Sequence, residues 1–301
     1  MTKSILIGPS SFAEISKKPI NMITEAGYNI IENPYGRKLK KNELIKLINP
    51  NVIGLLSGLE LIDNEVLSNS NIRVISRVGS GTSNVCKEAL LTNNVKLFSV
   101  PYGPTQSVAE LTVANIINLL RNVVTSSSLL KNRQWKRNIG NELQNKTVAV
   151  IGLGRIGIKV AKYLSFFGAK IIFYDNKVEN LDELKAKKVS FKEAISESDI
   201  ITIHYSGEEM LLSEKEFNIM KKGVILCNAS RGHAIDEEAL SKAIDNKIIS
   251  GAWLDTFNEE PYKGVLVKHD EIIMTPHIGS YTVECRTDME LSAVKNLLNN
   301  L

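Results

Sequence analysis

In the last third of the chain, an arginine, a glutamate and a histidine each follow an apolar, strand-like run. Arg231 lies in Asn228-Ala229-Ser230-Arg231-Gly232, directly after Val224 to Cys227. Glu260 lies in "GAWLDTFNEEP", pinned by Pro261 and preceded by Asp255. His277 lies in "MTPHIGSY", where the run Ile272-Ile273-Met274 stops against Pro276. A guanidinium can grip a carboxylate with two parallel hydrogen bonds. An imidazole can give or take a proton near neutrality, and a carboxylate beside it orients the ring and favours its charged form. Taken singly, each residue also has an ordinary reading: Arg231 as a surface ion-pair partner, His277 as a buried ring with satisfied nitrogens.

A cofactor signature upstream decides between these readings. In "TVAVIGLGRIGIKVAKYLSFFGAKIIFYD", Val148 to Ile151 reads as a buried strand. Gly152-x-Gly154-x-x-Gly157 follows without a break, and from Ile158 a helix runs to near Gly168. The next strand, Ile171 to Tyr174, ends at Asp175, 18 residues beyond Gly157. Glycines in that order allow a tight turn, close approach of backbone N–H groups to a pyrophosphate, and tight helix–strand contact. The helix N-terminus then faces the negative charge. Asp175 can accept ribose hydroxyls and repels a 2′-phosphate, so NAD is expected rather than NADP. With a dinucleotide present, the arginine, glutamate and histidine become the set that hydride chemistry on a 2-keto acid requires.

The frame that must hold these loops is legible as alternation. Apolar runs recur at Ile5 to Ile7, Tyr28 to Ile31, Val52 to Leu56, Val74-Ile75 and Val95 to Phe98. Amphipathic segments such as "KNELIKLI" and "CKEALLTN" lie between them, which indicates βαβ units and a parallel sheet. Ser107 to Leu130 reads as one long helix packed on both sides, and a second alternating series runs from Thr147 to about Thr275. The expected fold is therefore α/β.

Composition restricts the function classes. A chain of 301 residues with 43% hydrophobic and 23% charged residues is ordinary globular material, long enough for two domains. A net charge of +4 argues against nucleic-acid binding, and lysine pairs such as Lys40-Lys41 read as solvated faces. Three scattered cysteines, Cys86, Cys227 and Cys285, have no metal spacing and suit a reducing compartment. No metal site and no membrane partner are expected, and the cytoplasm is the expected location. Of the remaining histidines, His204 ends a strand and could reach the cofactor. His233 lies two residues past Arg231, and His269 is read as part of a charged loop.

The ordered motifs "RVGSGTSNV", "SVAELTVA", "IGLGRIG", "NASRGHAIDEEAL", "GAWLDTFNEEP" and "TPHIGS" make the whole chain resemble the D-isomer-specific 2-hydroxyacid dehydrogenases. Within that family it looks most like short phosphoglycerate dehydrogenases lacking an appended regulatory domain. The resemblance implies a Rossmann-type doubly wound parallel sheet at 103–281 and a flavodoxin-like α/β substrate domain at 1–102 and 282–301. Arg231, Glu260 and His277 match the family's catalytic residues. The implied cofactor-binding residues are Gly152, Gly154, Arg155, Ile156, Gly157, Asp175, His204, Ala229 and Asp255, with Asp255 matching the aspartate near the nicotinamide amide. Arg77, Val78, Gly79 and Ser80 match the substrate-binding loop. A C-terminal helix returning to the N-terminal domain is implied, and so is a homodimer built on Ser107–Leu130 and the Trp135 segment. The implied substrate pair is 3-phosphoglycerate and 3-phosphohydroxypyruvate. The alternatives are glyoxylate or hydroxypyruvate reduction, another short D-2-hydroxy acid, or a non-enzymatic NAD-sensing corepressor-like protein.

Three departures bear on the substrate. "HYSGEEML" after His204 lacks the proline usual in the family and is shorter. The interval from Glu260 to His277 is also shortened. Ser57 and Gly58 stand where well-studied phosphoglycerate dehydrogenases have an arginine for the phosphate, and Glu60 lies close by.

Overall fold

In the computed structural model, which describes residues 2–184 and 186–301, the chain divides into two compact units. Unit 1 comprises Met1–Pro104 with Ser280–Leu301, and unit 2 comprises Thr105–Gly279.

Unit 1 is built on strands β1 (Ser4–Ile7), β2 (Asn29–Glu32), β3 (Val52–Ser57), β4 (Val74–Arg77) and β5 (Lys96–Phe98). They form one parallel sheet in the order β2-β1-β3-β4-β5. Helices α1 (Lys18–Glu25), α2 (Lys41–Leu47), α3 (Asn64–Leu67) and α4 (Lys87–Thr92) connect them. The central strands β1 and β3 are buried throughout, which is why they read as continuous apolar runs, whereas the edge strand β2 is exposed at both ends.

The last helix of the chain, α11 (Val283–Leu298), also belongs to this unit. Its buried stripe, Cys285, Met289, Ala293, Val294 and Leu297, packs with Ile5, Ile7, Ile23, Leu56 and Val74. Each large apolar side chain so buried contributes about 1.5–3 kcal/mol. Gly54 on β3 leaves the room for this, since a Cβ there would lie 3.2 Å from the Leu297 side chain. On α11 a buried pair, Arg286 Nη2 to Glu290 Oε1 at 2.7 Å, anchors the loop after β1. Glu290 accepts the Ala13 N–H at 3.0 Å, and Arg286 donates to the Ser11 carbonyl at 3.2 Å. Burial pushes the Glu290 carboxyl above its ordinary range, against the opposing pull of Ala13 and Arg286.

Unit 2 carries β6 (Thr147–Ile151), β7 (Lys170–Tyr174), β8 (Lys187–Lys188), β9 (Ile200–Ile203), β10 (Val224–Asn228), β11 (Ile249–Leu254) and β12 (Ile272–Met274). Their order is β12-β11-β10-β9-β6-β7-β8, with every pair parallel. The helices are α5 (Thr105–Leu120), α6 (Val123–Lys131), α7 (Arg155–Phe166), α8 (Phe191–Glu197), α9 (Glu214–Phe217) and α10 (Glu237–Asp245). Strand order reverses between β6 and β9, the switch point at which doubly wound sheets receive ligands.

One sequence expectation is corrected here. Ser107 to Leu130 is not one helix packed on both sides. α5 buries Ala109, Val113, Ile116 and Leu120 against the sheet and α7, but the chain breaks at Asn122, whose φ is 51°. α6 then buries no residue. Asparagine tolerates the left-handed region, and its presence interrupts the helical hydrogen-bond ladder. His269 lies in the charged loop before β12. It is buried, and its Nε2 lies 2.8 Å from Ser241 Oγ on α10.

Candidate active site

The glycine turn of unit 2 joins β6 to α7. Gly152 has φ 91°, and a Cβ on it would stand 2.7 Å from the His204 carbonyl oxygen. A Cβ on Gly157 would overlap the Gly152 carbonyl oxygen, so the first turn of α7 rests directly on the glycine turn. Gly154 caps α7 with no side-chain hydrogen bond, and nothing lies within 4 Å of where its Cβ would be. The helix start thus presents the positive end of its dipole beside an open space at Gly154. This is the cradle a pyrophosphate requires.

Asp175, at the end of β7, reaches back to the turn. Its Oδ2 accepts the Leu153 N–H at 2.7 Å, and its Oδ1 accepts the N–H groups of Lys177 and Val178 at 2.7 and 2.9 Å. Burial alone would raise its pKa, but these bonds and the Lys188 charge outweigh it and hold the carboxyl below its ordinary range. Asp175 is therefore a fixed negative charge beside the cradle.

On the other side of the switch point His204 follows β9, its Nε2 2.9 Å from Thr202 Oγ1. Withdrawal from water lowers its pKa to about 4, so the ring is neutral at physiological pH. His233 Nε2 lies 3.2 Å from the Gly207 carbonyl and joins the loops after β9 and β10.

The three strand-end residues come from adjacent strands, β10, β11 and β12. His277 Nδ1 lies 2.9 Å from Glu260 Oε2 and 3.2 Å from Oε1. Glu260 Oε1 also accepts the Phe257 N–H at 3.2 Å. Arg231 sits in a loop organised by Asn228, whose Nδ2 donates to the Arg231 carbonyl at 2.8 Å and whose Oδ1 accepts from Ser230. Its neighbour Gly232 packs on the Phe257 backbone so closely that a Cβ would overlap it. The Arg231 loop and the Glu260 loop are thereby in contact. Among the described residues, no group of three histidine, cysteine or acidic side chains could hold a metal ion.

His277 itself has φ 55°, a conformation that needs support. Asp255 supplies it. This buried carboxylate accepts the Ile278 N–H at 2.9 Å and the Gly279 N–H at 2.7 Å. It also accepts the Thr275 hydroxyl at 2.5 Å, and that hydroxyl in turn receives Trp253 Nε1–H at 3.0 Å. Both oxygens of Asp255 thus accept hydrogen bonds from the turn that bears the histidine.

In unit 1, the loop after β4 contains Arg77 to Ser80. Arg77 Nη1 donates to the Val78 carbonyl at 2.6 Å and lies over Gly79, whose φ is 147°. The Val78 N–H donates to the Ser57 carbonyl, and the Gly79 carbonyl accepts from Val100.

Residues 113–279 match the family model described as D-isomer specific 2-hydroxyacid dehydrogenase, NAD binding domain. The chain belongs to the D-isomer specific 2-hydroxyacid dehydrogenase family. A glyoxylate reductase of Thermococcus litoralis is 34% identical over 253 residues, 79% of this chain and 76% of that protein. A D-3-phosphoglycerate dehydrogenase of Bacillus subtilis is 34% identical over 240 residues, 76% of this chain and 45% of that protein. The chain thus spans less than half the length of that dehydrogenase. The crystal structure of TT0316 protein from Thermus thermophilus superimposes with a TM-score of 0.89 at 28% identity, covering 98% of this chain and 96% of that one. NAD is the cofactor of this NAD-binding domain, and the open glycine turn and fixed Asp175 fit it.

Within this dehydrogenase, sequence reading passed over Asn228, Trp253 and Thr275. Asn228 acts on its own loop, two and three residues on, whereas Trp253 and Thr275 act through bonds some twenty residues apart, which no local motif marks.

Proposed function

We propose that the protein is an NAD-dependent reductase and dehydrogenase that interconverts a short, unphosphorylated 2-keto acid and its D-2-hydroxy acid. The reading is carried by the 2.9 Å contact of His277 Nδ1 with Glu260, set on the same sheet as the glycine turn and beside the Arg231 loop. NADH, held at the glycine turn and Asp175, would supply the hydride. The imidazolium of His277 gives a proton from Nε2 to the carbonyl oxygen, because Nδ1 is committed to Glu260. In the reverse direction the neutral ring takes that proton. Arg231 grips the substrate carboxylate, and Val78, Gly79 and Ser80 are the proposed substrate loop of unit 1. Gly152, Gly154, Arg155, Ile156, Gly157, Asp175, His204 and Ala229 line the cofactor site, and Asp255 serves through the turn it holds.

The unphosphorylated substrate is favoured by Arg77, whose guanidinium is engaged with the Val78 carbonyl, and by the absence of an arginine at Ser57. A second reading, 3-phosphoglycerate oxidation, draws on the likeness to the Bacillus subtilis enzyme. A homodimer is proposed through α6 and the segment after it, where Val123, Val124, Leu130, Trp135 and Ile139 are exposed. No described helix is long and apolar enough to cross a membrane.

The test is NADH consumption by purified protein with glyoxylate, hydroxypyruvate and 3-phosphohydroxypyruvate. Turnover of the first two supports the reading. Preference for the third moves the assignment to phosphoglycerate dehydrogenase, and NADH binding with no turnover of any points to a nucleotide-sensing protein.

A further inference from the structure

Strand β9 ends against the glycine turn, and the chain leaves it as Tyr205-Ser206-Gly207-Glu208-Glu209-Met210. This loop starts on the cofactor cradle itself. The His204 N–H donates to the Ile151 carbonyl at 2.7 Å, and a Cβ on Gly152 would stand 3.1 Å from the Tyr205 nitrogen. Its far end is fixed as well. The N–H groups of Leu211 and Leu212 donate to the Ala234 carbonyl at 2.9 and 3.0 Å, and the Asp236 N–H donates to the Leu212 carbonyl at 2.9 Å. Between these anchors the loop has a glycine and no proline, so its backbone has little stiffness of its own. Gly207 is where an outside side chain takes hold. His233 Nε2 lies 3.2 Å from the Gly207 carbonyl oxygen, and because a carbonyl only accepts, Nε2 carries the hydrogen. The Tyr205 ring folds over the same glycine, so closely that a Cβ there would overlap its hydroxyl, and packs on the core of unit 2.

His233 stands on a firm base. Gly232 rests on the Phe257 backbone, Ala234 is buried, and the Ile235 N–H donates to the Gly232 carbonyl at 3.1 Å. Beyond Gly207 come Glu208 and Glu209, both exposed. They lie three and four residues past Tyr205, so a loop free to swing would carry two carboxylates toward the cradle. There they would repel the phosphates of a dinucleotide.

We propose that His233 is a positioning residue for the cofactor: it latches the loop after β9 at Gly207 and keeps the Glu208-Glu209 tip away from the glycine turn. His233 acts through the loop rather than by touching NAD. Only unit 2 and the dinucleotide are involved, so the identity of the keto acid does not enter.

The experiment measures NADH binding, by the change in nicotinamide fluorescence, to purified wild type, His233→Leu and His233→Gln, with thermal unfolding to check each fold. Leucine fills the space but donates no hydrogen bond, whereas a glutamine amide can donate to the Gly207 carbonyl in place of Nε2–H. Kd should rise about fivefold in His233→Leu, the size of one net hydrogen bond, and return to within about twofold of wild type in His233→Gln. His233→Ala, read in the same way, serves if leucine disturbs the fold. The second readout needs no cofactor. A protease that cleaves after glutamate should cut at Glu208 or Glu209 about fivefold faster in His233→Leu than in wild type, because cleavage follows the population of the open loop. An unchanged Kd in the folded leucine or alanine variant overturns the proposal. So does a glutamine variant that binds as weakly as the leucine one, or an equal rate of cleavage.

Discussion

Replacing Glu260 by glutamine removes the negative charge facing His277 Nδ1 while keeping an oxygen at the same position. In the wild type the pair is 2.9 Å apart, with side chains 32% and 40% exposed. A hydrogen bond to a charged group contributes about 1.5–3 kcal/mol against about 1 kcal/mol for a neutral one. Solvent reaches both partners, so the lower part of that range applies, and the substitution should forfeit about 1.5 kcal/mol of support for the imidazolium. One factor of ten corresponds to about 1.4 kcal/mol, so kcat for keto-acid reduction should fall roughly tenfold. His277→Ala, which removes the proton donor itself, should cost roughly 10²–10⁴. Because the Glu260 charge acts on the reaction through the ring, and glutamine keeps an oxygen for the Phe257 N–H, adding Glu260→Gln to His277→Ala should change kcat by less than about twofold. The assay is single-turnover NADH oxidation with hydroxypyruvate, which separates chemistry from product release. An equal loss from Glu260→Gln in the presence and absence of His277 would refute the pairing.

Two further outcomes concern stability. Glu290→Ala leaves Arg286 buried without its carboxylate and frees the Ala13 N–H, so urea unfolding should show a loss of about 3 kcal/mol, and a loss below about 1 kcal/mol would contradict the buried-pair assignment. Burial raises the Glu60 carboxyl pKa, so its favourable contribution is complete below the ordinary carboxylate range and is lost as pH rises through the folded value. The melting temperature of Glu60→Gln relative to wild type should therefore increase with pH, and a pH-independent difference would show that Glu60 does not titrate in this way.

Much of the α/β architecture was legible because its signals are local. Strands buried on both faces, such as Val148 to Ile151 and Val52 to Leu56, read as apolar runs, and Gly152-x-Gly154-x-x-Gly157 marks its turn by needing glycine for close contacts. Arg231, Glu260 and His277 could be singled out because each follows such a run. What was not legible depends on backbone conformation or on distant partners. Apolar periodicity continues through Leu120-Arg121-Asn122-Val123, so nothing in the pattern announces that Asn122 turns left-handed and splits the helix. His269 lies in its charged loop as read, but nothing local announces that Ser241, 28 positions away, reaches its ring nitrogen. Glu60 has the composition of a surface residue, and its burial depends on Gly8, a residue of another loop.

The bonds from Asp255 to Thr275, Ile278 and Gly279 have a mechanical consequence. Immediately after Gly279 the polypeptide leaves unit 2 and continues as Ser280 into unit 1. The last residues of unit 2 are held there by the Ile278 and Gly279 N–H groups, which Asp255 accepts from the end of β11, and by the Gly279 carbonyl, which accepts the Ser107 hydroxyl. Asp255 thus works as a strain relief, like the clamp where a cable enters a housing. The turn that carries His277 is fixed on both sides, at Thr275 and at Ile278 and Gly279, so the alignment of the proton donor with Glu260 is set within unit 2.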